Sequence, residues 1–318
     1  MAMISKYVTK ESIRRKNLQD KIVKNIFFSS TILSASFIIL IVIFILVKGI
    51  APFVSSKYIS NVNLFDFLTG IKWLDGATGI STDYGVGFLI INTIIVVLIS
   101  LLISIPVSIL TGLFIAKIAP KRVREIFRTV VELLASIPSI IYGVFGLGVI
   151  APVIMNIAEV LGFQSSGGLS LITTSIVLGM MTIPTITVIS ENSIRSVDKI
   201  LEEGSLALGA SPTQTQLKVL IPAAKSGIFA GIILGIGRAL GEATAVSMVS
   251  GNRFSGLVFN PFDTTSTLTS RMLLGIKETT GIDYDIRFSV GLVLMLVIIL
   301  ANIILKVIMK KVGNLDDN

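Results

Sequence analysis

Six apolar runs constrain this 318-residue chain more than any other feature, lying near residues 26–50, 86–116, 126–155, 169–192, 225–249 and 286–309. Roughly 20 helical residues cross a hydrocarbon core about 30 Å thick, so each run is long enough to span it. The runs are continuous, whereas the strands of an outer-membrane barrel alternate apolar and polar residues. With 53% hydrophobic residues, 14% charged residues and a mean hydropathy of +0.89, the chain is too apolar for a soluble globular domain. The expectation is an all-α integral membrane protein with six transmembrane helices.

Orientation follows from the loops. The N-terminal segment, the connection from Lys117 to Arg128, the stretch with Arg195, Lys199, Lys218 and Lys225, and the tail with Lys306, Lys310 and Lys311 are basic. Residues 51–85 hold only Lys57 and Lys72, and residues 156–168 hold no Lys or Arg. Basic loops stay in the cytoplasm, so both termini are expected there. The loop 250–285 mixes Arg253, Arg271 and Lys277 with Asp263, Glu278, Asp283 and Asp285, and leaves this assignment standing. The net charge of +8 thus follows membrane topology and points to no nucleic-acid partner.

The chain divides into a basic segment 1–25, a first helix and outer loop 26–85, a core 86–310 containing a loop at 194–224, and a tail 311–318. The run from Ile26 to Ile50 is longer than a signal-peptide core and has no convincing cleavage site, so it is expected to be retained. The basic segment before it, with Ile4, Lys6, Val8, Lys10 and Arg14 among its residues, reads equally as an amphipathic surface helix or a disordered tail. The outer loop, with Phe53, Phe65, Phe67 and Trp73, is too short for its own core and is expected to cap the bundle or meet a partner. There is no cysteine or histidine, which excludes thiol catalysis, imidazole bases and His/Cys zinc or haem sites.

Within 194–224 stands Glu203-Gly204-Ser205-Leu206-Ala207-Leu208-Gly209, followed after nine residues by Val219-Leu220-Ile221-Pro222. This resembles the EAA loop of ABC-type import permeases, whose ideal pattern is Glu-Ala-Ala, three residues, Gly, nine residues, Ile-x-Leu-Pro. Here Gly204-Ser205 replaces Ala-Ala, and Val219 and Ile221 replace Ile and Leu, with spacing intact. Such a loop forms a short helix that docks on a separate ATPase, and small side chains permit close approach. Gly209 can take the positive φ that ends a helix, and Ser211-Pro212 suits the start of the next.

The fifth run contains Gly237-Arg238-Ala239-Leu240-Gly241-Glu242. In a continuous helix Arg238 and Glu242 share one face and can pair. A charge inside an apolar run costs several kcal/mol unless it faces a partner or a watery path. Two readings stand, a substrate path and a structural ion pair that fixes helix register. Gly227, Gly231, Gly235, Ala239 and Ala243 recur every fourth residue and form a ridge for close helix packing. Pro106, Pro138, Pro152 and Pro184 predict kinks, with Thr182, Thr185 and Thr187 placed to satisfy carbonyls freed by Pro184.

Together the loop and the Arg238–Glu242 run resemble the PstC-type permease subunit of phosphate-specific ABC importers. Glu132-Leu133-Leu134-Ala135-Ser136-Ile137-Pro138-Ser139 with Tyr142-Gly143, Ala224-Lys225-Ser226-Gly227-Ile228 and Met248-Val249-Ser250-Gly251-Asn252 extend the resemblance over about residues 85–310. It implies a MetI-like permease fold in the bacterial plasma membrane, a homologous second permease, two copies of a cytoplasmic ATPase and an external phosphate-binding protein. It also places Arg238, Glu242 and Glu132 on the substrate path, and Glu203, Gly204, Ser205, Gly209 and Pro222 in ATPase coupling. Arg238 would offer a forked donor to phosphate, with Glu242 neutralising it when no substrate is present. Glu132 reads equally as an interfacial partner of Arg128, and Glu191 reads as an interfacial or capping charge.

The chain has no Gly-Lys pair and hence no P-loop, so it is expected to bind no cofactor itself, with ATP and Mg in the partner. Sulfate, molybdate or another small anion is the rival cargo. A stand-alone channel or ion-coupled carrier would leave the docking loop without purpose. An intramembrane protease is opposed by the absence of His-Glu-x-x-His and of a central intramembrane Asp.

Overall fold

The computed structural model describes residues 10–54, 62–74 and 83–313. The chain divides into two compact units, Met1–Lys48 and Gly49–Asn318. The first contains most of α1 (Lys10–Val54), a 45-residue helix. Phe27, Phe28, Ile38 and Leu40 are exposed among neighbours exposed on every side, as expected of a helix surrounded by lipid. From Lys10 onward the basic segment is the continuous start of this helix, neither a separate surface helix nor a tail. Ile4, Lys6 and Val8 lie outside the described residues, as do residues 314–318 of the tail.

In the second unit, α2 (Leu64–Thr69) starts at Asn63, whose side chain accepts the Phe65 N–H at 3.0 Å. Strands β1 (Trp73–Leu74) and β2 (Asp83–Tyr84) then pair antiparallel, with Trp73 opposite Tyr84. Phe67, Trp73 and Tyr84 are buried against Phe88, Leu89, Leu268, Ile286 and Val290. Phe53, Phe67 and Trp73 therefore cap the bundle, whereas Phe65 stays 71% exposed.

The bundle begins with α3 (Gly87–Leu113), which widens into a π-helical turn at Phe114–Ile118. Next come α4 (Lys121–Ser136), then α5 (Ser139–Phe145), a π turn at Gly146–Ile150 and α6 (Ala151–Val160) in one apolar stretch. α7 (Leu171–Arg195) is the central helix, with residues buried along its whole length. The loop segment consists of α8 (Lys199–Ala207), α9 (Pro212–Thr215), a π turn at Gln216–Leu220 and α10 (Ile221–Ala223). α11 (Lys225–Gly241), α12 (Thr244–Val249), α13 (Leu268–Leu273) and α14 (Ile282–Gly313) complete the chain. Among the described residues, five helices are long and apolar enough to span a membrane. A sixth span is reached when Pro212–Ala223 and Lys225–Gly241, bent by 69°, are taken together.

Two expected boundaries move. The third run does not enter the membrane-length stretch at 126; α4 is a separate helix and the span begins at Ser139. Ile137 precedes Pro138 and takes an extended ψ of 127°, because a residue before proline is sterically driven out of the helical region. The fifth run is also not one helix to 249. It breaks at Glu242, whose backbone is extended at φ −74°, ψ 119°.

α7 carries many Ser and Thr residues yet sits at the centre because its small side chains let α3 approach closely. A Cβ on Gly179 would lie 3.2 Å from the Ser100 carbonyl oxygen, and one on Gly112 would lie 3.0 Å from the Glu191 nitrogen. Hydroxyls on this seam bond back to helix carbonyls, as Thr174 does to Ser170 at 2.7 Å and Ser175 to Leu171 at 2.9 Å. Near Pro184, Thr182 bonds the Gly179 carbonyl at 2.9 Å and Ser108 reaches the Ile183 carbonyl at 3.1 Å. Thr185 and Thr187 do not take the role predicted for them: Thr185 bonds Arg238, and the Thr187 hydroxyl has no hydrogen-bond partner.

Candidate functional site: an intramembrane arginine and a docking loop

The predicted ridge on α11 is what positions Arg238. A Cβ on Gly227 would come 2.1 Å from Ser193 Oγ, and one on Gly235 2.7 Å from Ile186 Cδ1. Only glycine permits this approach of α11 to α7. With the helices this close, Arg238 Nη1 donates to Thr185 Oγ1 at 2.7 Å. Both side chains line a cavity of about 680 Å³, together with Ala230, Leu234, Gly237, Asn302, Ile233 and Met309. A Cβ added at Gly237 would meet nothing within 4 Å, so the helix surface beside Arg238 is open. Tyr142 stands within electrostatic reach of Arg238, and its hydroxyl donates to the Leu134 carbonyl at 2.9 Å.

The expected Arg238–Glu242 pairing on one helical face is not what the chain forms. Because α11 stops at Gly241, Glu242 leaves that face, and its Oε1 accepts the Ala245 N–H at 3.1 Å at the start of α12. Among the described residues no ion pair joins Arg238 to Glu242. The acid satisfies an amide that the new helix start would otherwise leave unbonded, and the arginine is held by a neutral hydroxyl.

Glu132 does not line the Arg238 cavity. It lies exposed on α4 and accepts from Arg128 Nε at 2.9 Å. That hydrogen bond, with the Glu191 carboxylate behind it, raises the Arg128 pKa above the ordinary arginine value. Glu191 is 2% exposed and ion-paired with Arg195 in the last turns of α7.

The loop between α7 and α11 forms as its local signals predict. Asp198 caps α8 through its side chain, accepting the Ile200 N–H at 3.0 Å. Gly209, at φ +87°, ends the helix: its N–H bonds the Leu206 carbonyl at 3.0 Å and the Ala210 N–H bonds Ser205 at 3.2 Å. Ser211 and Gln214 then form a reciprocal capping box with Pro212 at the first turn. Glu203 and Gly204 are exposed, Ser205 bonds Thr215 Oγ1 at 2.9 Å, and Pro222 lies exposed in α10. Ile200 and Leu208 are 73% and 91% exposed, leaving an apolar surface beside Glu203.

Sequence reading missed two polar groups in the bundle. Asn302 is the lone asparagine in the apolar run of α14, an intramembrane polar residue that marks the cavity wall. Arg271 is 1% exposed at the end of the bundle opposite the docking loop. It donates to the Arg253 carbonyl at 2.6 Å, the Asn252 carbonyl at 3.1 Å and Ser266 Oγ at 3.2 Å. It also lies 4.8 Å from the Phe254 ring centroid and 5.9 Å from that of Trp73.

A helical bundle of membrane-length spans with a protruding helix between two of them is the architecture of an importer permease. The chain belongs to the binding-protein-dependent transport system inner membrane component family, whose model matches residues 108–314. It is a multi-pass inner-membrane subunit. It is 41% identical to the probable ABC transporter permease protein YqgH of Bacillus subtilis (strain 168), over 80% of this chain and 79% of that one. It is 32% identical to the phosphate transport system permease protein PstC of Pasteurella multocida (strain Pm70), over 73% and 76%. Its fold matches a chain of a bacterial ABC transporter involved in the import of the acidic polysaccharide alginate, with a TM-score of 0.62 and 16% identity over 93% of this chain and 99% of that one.

Proposed function

We propose that the chain is the permease subunit of an ATP-driven phosphate importer, with both termini and α8 in the cytoplasm. It forms half of the translocation path beside a homologous permease. Two copies of a separate ATPase dock on α8, and an external phosphate-binding protein delivers the cargo. The chain itself binds no cofactor; ATP and Mg belong to the ATPase.

The observation that supports this reading most is Arg238, a guanidinium tied by one neutral hydroxyl among the described residues and facing a mostly apolar cavity, in a chain 32% identical to a phosphate permease. A guanidinium with free donors offers paired N–H groups to a tetrahedral oxyanion. Contact through one residue is also weak enough to release the anion, which conduction requires. Glu203, Gly204, Ser205, Gly209 and Pro222 carry the docking role, and Glu242 tempers the positive field near the path. Glu132 acts through Arg128 at the edge of this region.

The test is ATP-dependent uptake of labelled phosphate in cells with and without this chain beside its partners, competed with excess sulfate or molybdate. Uptake that depends on the chain and resists both competitors is expected. Displacement by either anion would discard phosphate as the cargo, and uptake independent of the chain would discard the permease role.

A further inference from the structure

Adjacent acids in α8 are held in opposite ways. Glu203 is exposed and has no hydrogen bond or ion pair among the described residues. Glu202, one position earlier, accepts from Lys117 Nζ at 2.6 Å, across 85 positions of chain. The pair is well shielded, with side chains 13% and 31% exposed, unlike the exposed ion pairs that contribute little to folding.

The two ends of this contact differ in rigidity. Lys117 belongs to the π turn that closes α3, where the Ala119 N–H reaches back five residues to the Phe114 carbonyl at 2.8 Å. Leu113 and Ala116 beside it are buried with Ile194, Ala224 and Ile228, from α7 and the start of α11. The end of α3 is thus locked into the bundle. By contrast, α8 has no buried residue. Its Ser205–Thr215 bond runs to α9 within the same loop. The lysine therefore joins a helix without a core of its own to a tightly packed membrane span.

We propose that Lys117–Glu202 is a strut that carries displacement of α8 into the end of α3, so that conversion of ATP hydrolysis into transport depends on it while recruitment of the ATPase does not. This rests on the reading of α8 as the ATPase-docking helix. Lys117 and Glu202 are positioning residues: neither touches cargo, and Glu203 and the exposed apolar side chains of α8 remain available to the partner.

The test uses the whole importer in vesicles, measuring phosphate uptake and ATP hydrolysis together with the amount of ATPase that co-purifies. Glu202→Gln, which keeps the shape of the side chain, and Lys117→Met should each lower the ratio of uptake to hydrolysis roughly five- to tenfold, within the range of coupling between distinct sites, at unchanged ATPase content. The charge-exchanged K117E/E202K protein should return to within about twofold of the original ratio, since the attraction is restored with its direction reversed. An unchanged ratio in the single variants would overturn the strut. So would an exchange variant as impaired as the singles, or loss of bound ATPase in the singles. Gly209→Asp, which breaks the positive-φ end of α8 without touching the pair, reports on docking alone. If it leaves ATPase binding and hydrolysis intact, the docking reading fails separately from the strut.

Discussion

Arg238 and Arg271 are both arginines inside an apolar bundle, and their surroundings differ in every respect that matters. Arg271 is enclosed: two backbone carbonyls and a hydroxyl receive its protons, and aromatic rings lie near its face. Among the described residues Arg238 makes one hydrogen bond, to a hydroxyl, and it borders an open cavity. A buried charge whose Nη2 is gripped by two backbone carbonyls and a hydroxyl holds structure together. One left with unanswered donors beside empty volume is arranged for something that arrives and leaves. Burial alone would have ranked the two in the wrong order for transport.

The sharpest way to break this contrast is Arg271→Ala. Carbonyls of Asn252 and Arg253 would lose their donor, and stability should fall by about 2–6 kcal/mol, about 1–3 kcal/mol for each buried carbonyl left unpaired. A denaturation midpoint of the purified protein checks this; a shift no larger than that of a surface variant would mean the enclosure is not structural. Arg238→Ala should do the reverse, lowering uptake roughly 10- to 100-fold, as expected for a charge-assisted hydrogen bond contributing about 1.5–3 kcal/mol, while the midpoint moves little. Full uptake in that variant would take Arg238 off the path. The smallest effect belongs to Glu242→Gln, which keeps an acceptor for the Ala245 N–H and removes the charge. Uptake should change by about fivefold or less, in line with a charge effect of about 0.3–1 kcal/mol at a helix start. A loss as large as that of Arg238→Ala would show that the two side chains act as a pair during transport.

Features set by neighbours in sequence were legible in advance. Apolar length marked the spans, and Gly209 with Ser211-Pro212 marked the end of one loop helix and the start of the next. The four-residue recurrence of Gly227, Gly231 and Gly235 marked the face that meets α7. The break at Glu242 was not legible because no proline announces it; Gly241 and a carboxylate that can bond the next helix start suffice. Pro138 did announce the end of α4, yet the apolar side chains of that helix made residues 126–136 look like part of a span. The arginine environments were hidden for another reason. Arg271 is enclosed by Trp73, Phe254 and Ser266, and Arg238 is held by Thr185, so each depends on packing between distant segments. The seven charges around α4 and the end of α7 likewise gave no sign that Glu191 would be buried.

α8 has no side chain in the core, and this frees it from a constraint that governs the rest of the bundle. A substitution on its surface removes no packing and leaves no cavity, so it scarcely moves the folding equilibrium. Local opening of such a helix costs less than global unfolding, and a bound partner lowers its open population by mass action. Its amides should therefore be the quickest of the loop to exchange in the isolated chain and the most slowed by assembly. In the proposed importer, the same independence would let the surface of α8 drift with a changing partner while the bundle keeps its sequence, so that fit to the ATPase and integrity of the bundle could be tuned separately.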